Sequence, residues 1–384
     1  MRREHVDANL PDEAWVVALA SLPEMGPSRL RALLARCAPA AAWHAVADGS
    51  WASDPEPISG RVDPVSLAGT WVRGASQVDV AAVWQRHLDH GVGVAVRGSG
   101  AFPAPFVDDV DPPEVLFTLG DPAAVCGPRV AIVGTRSATR YGVDIAFELG
   151  RDLAAAGVAV VSGLALGIDG AAHAGALGAS PDAGAGPPVA VVGSGLDVLY
   201  PPAHRELWRA VVSRGVVMSE APLGVRPRRW RFPARNRLIA ALGDVLVVVE
   251  SRENGGSMHT VDEAVRRDRP VMAVPGPVRS SASAGTNRLL GECASPVSSA
   301  ADVLVALGLT AGATRASADA RPAPAARELA VLDALGWQPA SVDQLVLRTG
   351  LDVGALLVAL DELESTGWVA TRAGWYEQVA RAER

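Results

Sequence analysis

At 384 residues, 49% of them hydrophobic and 20% charged, with a formal net charge of −7, the chain has room for two or three domains and is too apolar to be disordered. All 35 basic residues are arginine, which excludes Schiff-base, phosphate-loop and general-base chemistry by lysine. The first residues lack the apolar core of a secretory signal, no run is long enough to span a membrane, and Cys37, Cys126 and Cys293 fit neither a disulfide framework nor a metal site. A soluble cytoplasmic protein with buried free thiols is therefore expected, with no metal, no cofactor and no membrane contact.

Residues 1–75 read as a helical domain, with a helical pattern over 14–48. Within it, Leu22, Gly26 and Leu30 resemble a helix-hairpin-helix turn, in which backbone amides near the glycine meet phosphates. The competing reading is a plain turn whose glycine serves geometry alone. Residues 76–119 read as a connecting segment.

From 120 to 308, short β-branched runs begin near Val130, Val158, Val189, Val216, Val245 and Val271, separated by helix-compatible stretches such as 141–156 and 204–214. Apolar strands without alternation, spaced by helices, imply a parallel sheet covered on both faces. The expected fold is α/β, a Rossmann-like doubly wound parallel sheet, with Gly178–Pro188 as a surface loop.

Three glycine turns fall at the ends of consecutive strands: Gly134-Thr135-Arg136-Ser137, Ser162-Gly163 running to Asp169, and Gly193-Ser194-Gly195-Leu196-Asp197 before Tyr200-Pro201. Glycine lets a ligand approach the backbone, so the three turns are expected to line one crevice. Asp169 and His173 would share a helix face, which fits a cap as well as an acid-base or metal site. No GxSxG elbow or triad is present, and no catalytic residue is predicted.

The twelve residues Arg226–Arg237, RPRRWRFPARNR, hold six arginines, no acid and two interleaved aromatics. Cations between aromatic faces suit single-stranded nucleic acid, whose phosphates pair while its bases stack. Arg136 and Arg235 are expected at the ligand end of the sheet rather than in its core. After the fifth strand, Gly255-Gly256-Ser257 and Thr260 at a helix start form another phosphate cradle.

Residues 309–326 read as a linker and 327–384 as a winged-helix-like module. There Ser341 and Gln344 make a capping box, Asp352 opens a second helix, and 368–371 with 375–377 form the wing. Five arginines against nine acids give this module −4, which favours a protein-contact or regulatory role over duplex reading.

In this order, VAIVGTR, SGLALGID with Ala172-His173, GSGLDVLYP, Ser219-Glu220, FPARNRLIAAL, GGSMHT and Val274-Pro275-Gly276 resemble the DprA/Smf family of DNA-processing proteins over about 91–306. The resemblance implies a core that binds and protects single-stranded DNA, forms a homodimer and loads the RecA recombinase during natural transformation. It places the DNA pocket at Gly134, Thr135, Arg136, Ser162, Gly163, Phe232, Arg235, Asn236 and Arg237, faced by Gly256, Ser257 and Thr260. GGSMHT departs from the family's more usual SGSLxTA, and GECASPV from its usual segment after Gly285-Thr286-Asn287. GGSMHTVDEA is also similar to a turn of Rossmann-like phosphoribohydrolases, so the alternative is an enzyme acting on nucleoside monophosphates. Six arginines suit several phosphates better than one.

Overall fold

The computed structural model describes residues 10–53, 58, 62–181, 184–309, 321–336, 338–372 and 374–379. The chain divides into two compact units, Met1–Gly312 and Ala313–Arg384.

The first unit opens with helices α1 (Asp12–Ala20), α2 (Pro27–Leu34), α3 (Pro39–Asp48), α4 (Pro64–Ser76) and α5 (Val80–Asp89). Proline opens α2, α3 and α4, where a missing N–H costs no helical hydrogen bond. Asp63 and Asp79 cap α4 and α5 by accepting the N–H of Ser66 and Ala82 at 2.8 and 3.0 Å.

The sheet and its helices follow: β1 (Gly93–Val96), β2 (Val115–Gly120), β3 (Arg129–Val133), α6 (Arg140–Ala155), β4 (Ala159–Ser162), α7 (Ile168–Gly178), β5 (Pro188–Val191), α8 (Arg205–Arg214) and β6 (Val216–Ser219). Then come α9 (Arg231–Leu242), β7 (Val245–Val248), α10 (Met258–Val265), β8 (Val271–Ala273), α11 (Ala284–Glu292), β9 (Ser295–Pro296) and α12 (Ala300–Ala306). Strand order is β1-β2-β6-β5-β4-β3-β7-β8-β9.

All pairings from β6 through β9 are parallel, giving the expected doubly wound sheet. Its inner strands β4, β5, β6 and β7 are buried throughout, as a sheet covered on both faces requires. Two strands that the sequence did not announce extend one edge: β2 runs antiparallel to β6, and β1 antiparallel to β2. β3 is flanked by β4 and β7, so strand order reverses there and a crevice opens beyond their carboxyl ends.

The helical front has no core separate from the sheet. Leu19, Trp71 and Leu67 belong to the same apolar cluster as Phe117, Trp208 and Val217. One correction concerns the thiols: Cys126 and Cys293 are exposed and Cys37 half-buried. The first two lie at element ends, where the chain returns to the surface.

The second unit contains α13 (Ala326–Leu335), α14 (Val342–Thr349), α15 (Val353–Ser365) and the antiparallel pair β10 (Val369–Arg372) and β11 (Trp375–Gln378) around Leu332, Leu345, Leu356 and Leu360. Ser341 and Gln344 cap each other's backbone N–H, at 3.4 and 3.2 Å, and Asp352 accepts the N–H of Ala355 at 3.0 Å. Three helices and a two-stranded wing make this a winged helix. Most of the expected linker, residues 310–320, lies outside the described residues.

Candidate nucleic-acid interface

Backbone hydrogen bonds draw the turns after β3, β4 and β7 together. Thr135 N–H donates to the Glu250 carbonyl at 2.8 Å, and Ile168 N–H donates to the Thr135 carbonyl at 3.3 Å. The buried Glu250 carboxylate accepts the N–H and hydroxyl of Thr139 at 2.9 and 2.6 Å. The start of α6, a natural anion site, is thus already filled by a carboxylate of the chain itself. Arg136 remains exposed above it, its guanidinium 4.5 Å from the centre of the Phe232 ring, and Tyr200 packs 5.8 Å from the same ring. Tyr200 is missing from the sequence-based site; its Tyr-Pro pair was the available signal.

Arg235 lies deeper than expected. It is 6% exposed and donates to the carbonyl of Val191 at the end of β5. A methyl group at Gly163 would collide with its guanidinium, so glycine is required there by close approach. Burial pulls the Arg235 pKa down to about 10, against the attraction of Asp169, so it stays charged at neutral pH. Burial pushes the Asp169 carboxyl up, opposed by Arg235, by the backbone N–H groups of Ala165 and Gly163, and by Arg136. His173, one helical turn on, is fully buried with neither ring nitrogen hydrogen-bonded, and its pKa falls to about 3, first through burial and then through His204 and Arg235. Asp169 does not cap its helix, whose N-cap is Gly167, but accepts backbone N–H groups of the preceding turn, and with a neutral, enclosed imidazole it does not make a metal centre. Among the described residues no group of three metal-ligating side chains occurs.

The remaining candidates divide. Arg237 turns away from the crevice, pairing with Glu220 at 2.5 Å and Asp111 at 3.3 Å and donating to the Asp111 carbonyl at 3.0 Å. Asn236 reaches the carbonyl of Gly256 at 3.3 Å and ties α9 to the glycine turn before α10. Ser162 donates to the carbonyl of Ile132 at 2.6 Å, Ser257 to the hydroxyl of Ser251 at 2.7 Å, and Thr260 is buried. The surface of the site consequently comprises Gly134, Thr135, Arg136, Phe232, Asn236 and Gly256, over a floor of Ser162, Gly163, Arg235, Ser257 and Thr260.

Before α9 the chain runs outward. Arg226, Arg228 and Arg229 are exposed, and among the described residues no carboxylate pairs with them. Trp230 is 50% exposed, with the Arg231 guanidinium 4.5 Å from its ring centre. Free cations beside open aromatic faces can hold a polyanion that carries flat bases.

Residues 93–308 match the family model described as DNA recombination-mediator protein A, and residues 315–374 that of the DprA winged helix domain. A putative DNA processing protein DprA of Mycobacterium tuberculosis (strain ATCC 25618 / H37Rv) is 42% identical over 271 residues, which are 68% of this chain and 68% of that protein. The crystal structure of DNA processing protein A from Streptococcus pneumoniae superposes with a TM-score of 0.62 at 28% identity, covering 77% of this chain and 98% of that one. A Helicobacter pylori DNA processing protein A, described for its single-stranded DNA binding mode, superposes with a TM-score of 0.50 at 29% identity, covering 56% and 95%. With the motif order, the sheet and both family models in agreement, the chain belongs to the DNA recombination-mediator protein A family, the DprA/Smf proteins.

Proposed function

We propose that this protein binds and protects single-stranded DNA and hands it to a recombinase, RecA, during natural transformation, acting as a cytoplasmic homodimer without catalytic turnover. The observation that carries the DNA-binding part is the Arg136–Phe232–Tyr200 cluster at the strand-end crevice. Arginines meet phosphates and rings meet base faces, and neither reads a base edge, so binding has little sequence preference. Gly134, Thr135, Arg136, Phe232, Asn236 and Gly256 touch the strand in this reading. Ser162, Gly163, Arg235, Ser257 and Thr260 shape the surface beneath, and Arg237 anchors α9. Recombinase loading and dimerisation rest on family membership. A second copy would raise the effective concentration of one pocket once the other is filled.

Against a phosphoribohydrolase, the hydroxyl of Ser257 is engaged internally and Thr260 is buried, leaving the GGSMHT turn no free hydroxyl at those positions for a monophosphate. Anisotropy titration with labelled single-stranded and duplex oligonucleotides tests the binding reading. The single strand should bind tighter at physiological salt; equal affinities, or release of free base from a nucleoside monophosphate, would contradict it. Acceleration of RecA assembly on coated strands tests the mediator step.

A further inference from the structure

A second surface lies beside the strand-end crevice. An open groove of about 1440 Å³ runs between the α1–α2 turn and the stretch before α9, with Pro23, Gly26 and Pro27 on one wall and Arg226, Arg228 and Trp230 on the other. It is larger than the roughly 300–1,000 Å³ of ordinary small-ligand pockets. Among the described residues its acids are engaged: Glu24 pairs with Arg29 at 3.7 Å, Asp111 with Arg31 and Arg237, and Glu263 with Arg267. Arg29 is likewise held in its own turn by the carbonyl of Glu24 at 2.6 Å. Among the described residues, the lining charge without a carboxylate partner is therefore positive and comes from Arg226, Arg228 and Arg231.

The glycine of the turn is informative. The left-handed residue here is Glu24, at φ 59°, whereas Gly26 has φ −107° and ψ 169°, open to any residue. A Cβ at Gly26 would meet no atom within 4 Å. Glycine is one of several residues favoured at this helix N-cap, but neither a positive φ nor packing forces it there, and it leaves bare backbone facing the groove.

We propose that this groove carries the continuation of a single polynucleotide strand beyond the strand-end crevice, with phosphates on Arg226 and Arg228, a base against Trp230, and the backbone at Gly26 in close approach. The proposal rests on the single-strand binding proposed above. Two observations select this occupant. The groove adjoins the crevice through consecutive residues, since Arg231 lines it while Phe232 lies under Arg136. Its one large aromatic, Trp230, is half open between cations, as base stacking needs and an acidic peptide does not.

The test uses the full chain and two labelled oligothymidylates, one of about five nucleotides and one of about twenty, bracketing typical single-strand site sizes. The R226A/R228A double variant should lose about tenfold in affinity for the long strand, with the salt slope reduced by about 0.7 for each arginine. Gly26→Asn, which keeps a favoured N-cap residue while covering the backbone, should weaken long-strand binding severalfold with unchanged melting temperature. Trp230→Leu should do the same, and Trp230→Phe should restore it. All four should bind the short strand as the wild type does, whereas Arg136→Ala should weaken both. Groove variants that bind the long strand normally while Arg136→Ala does not would overturn the groove and leave the function reading standing. Loss of duplex binding alone would also overturn it. A wild type that binds neither strand removes the function reading and the groove together.

Discussion

The two ends of the Arg226–Arg237 stretch carry the same charges and do opposite things. Arg226, Arg228 and Arg229 extend from a loop into solvent without described partners, while Arg235 and Arg237, on α9, are 6% and 7% exposed and face groups of opposite charge or polarity. Arg235 meets the Val191 carbonyl with Asp169 nearby, and Arg237 meets Glu220 and Asp111. The direction is decided by where compensating groups wait rather than by the basic residues themselves. A buried guanidinium is tolerable only with its charge answered, and the inward end is answered from three separate parts of the chain. One basic run thus supplies both an anchor and a binding surface.

The largest effect should come from breaking the anchor. Arg237→Ala would leave Glu220 partly buried without its cation and Asp111 with Arg31 alone, and a loss of about 3 kcal/mol in urea unfolding is expected. Strand affinity of the folded fraction should stay within about threefold. Large loss of affinity at full stability would place Arg237 in the interface instead.

The inward region also sets an acid limit. His173 has a folded pKa of about 3 against an ordinary 6.5, so below pH 6.5 the unfolded chain takes up a proton that the folded one refuses. Its contribution to stability therefore falls as pH drops from 6.5 toward 3, by up to about tenfold in the folding equilibrium per pH unit. Asp169 and Glu220, both held up by burial, take protons earlier in the folded state and oppose this trend above the ordinary carboxyl range. His173→Leu isolates the histidine, because neither ring nitrogen has a partner to lose. Denaturant midpoints at pH 7.5 and 5 should converge in the variant; an unchanged acid slope would mean His173 is protonated in the fold.

At the outward end, Arg136→Ala should weaken single-strand binding about tenfold while moving the melting temperature by less than about 2 °C, since the side chain is exposed and unpaired. The smallest effect is expected from deleting 313–384. That unit has its own core around Leu332 and Leu356, and removing it should change single-strand affinity by less than about threefold. A large loss on deletion would show that the winged helix holds nucleic acid despite its excess of acids.

Much of this fold was legible because the inner strands are short, wholly apolar runs at regular spacing, with glycine turns at their carboxyl ends. β1 and β2 were not. Four and six residues without alternation carry no period that separates strand from loop, and their antiparallel pairing depends on β6, far along the chain. The candidate site was legible as a set of turns and arginines, but its division into surface and floor was not. That division depends on Asp111, Glu220 and Glu250, whose meetings with Arg237 and Thr139 are tertiary. Gly26 stood out in the sequence as part of a phosphate-binding turn, yet only its unstrained backbone and the open space beside it separate that reading from a structural one.

The division between anchor and surface is tested most directly by the salt dependence of single-strand binding, read as the slope of log K against log salt for one long oligonucleotide. Arg136→Ala and Arg228→Ala should each lower the slope by about 0.7, and Arg237→Ala, measured where it remains folded, should leave it unchanged. A slope that falls for Arg237→Ala and stays fixed for the two exposed arginines would contradict the account.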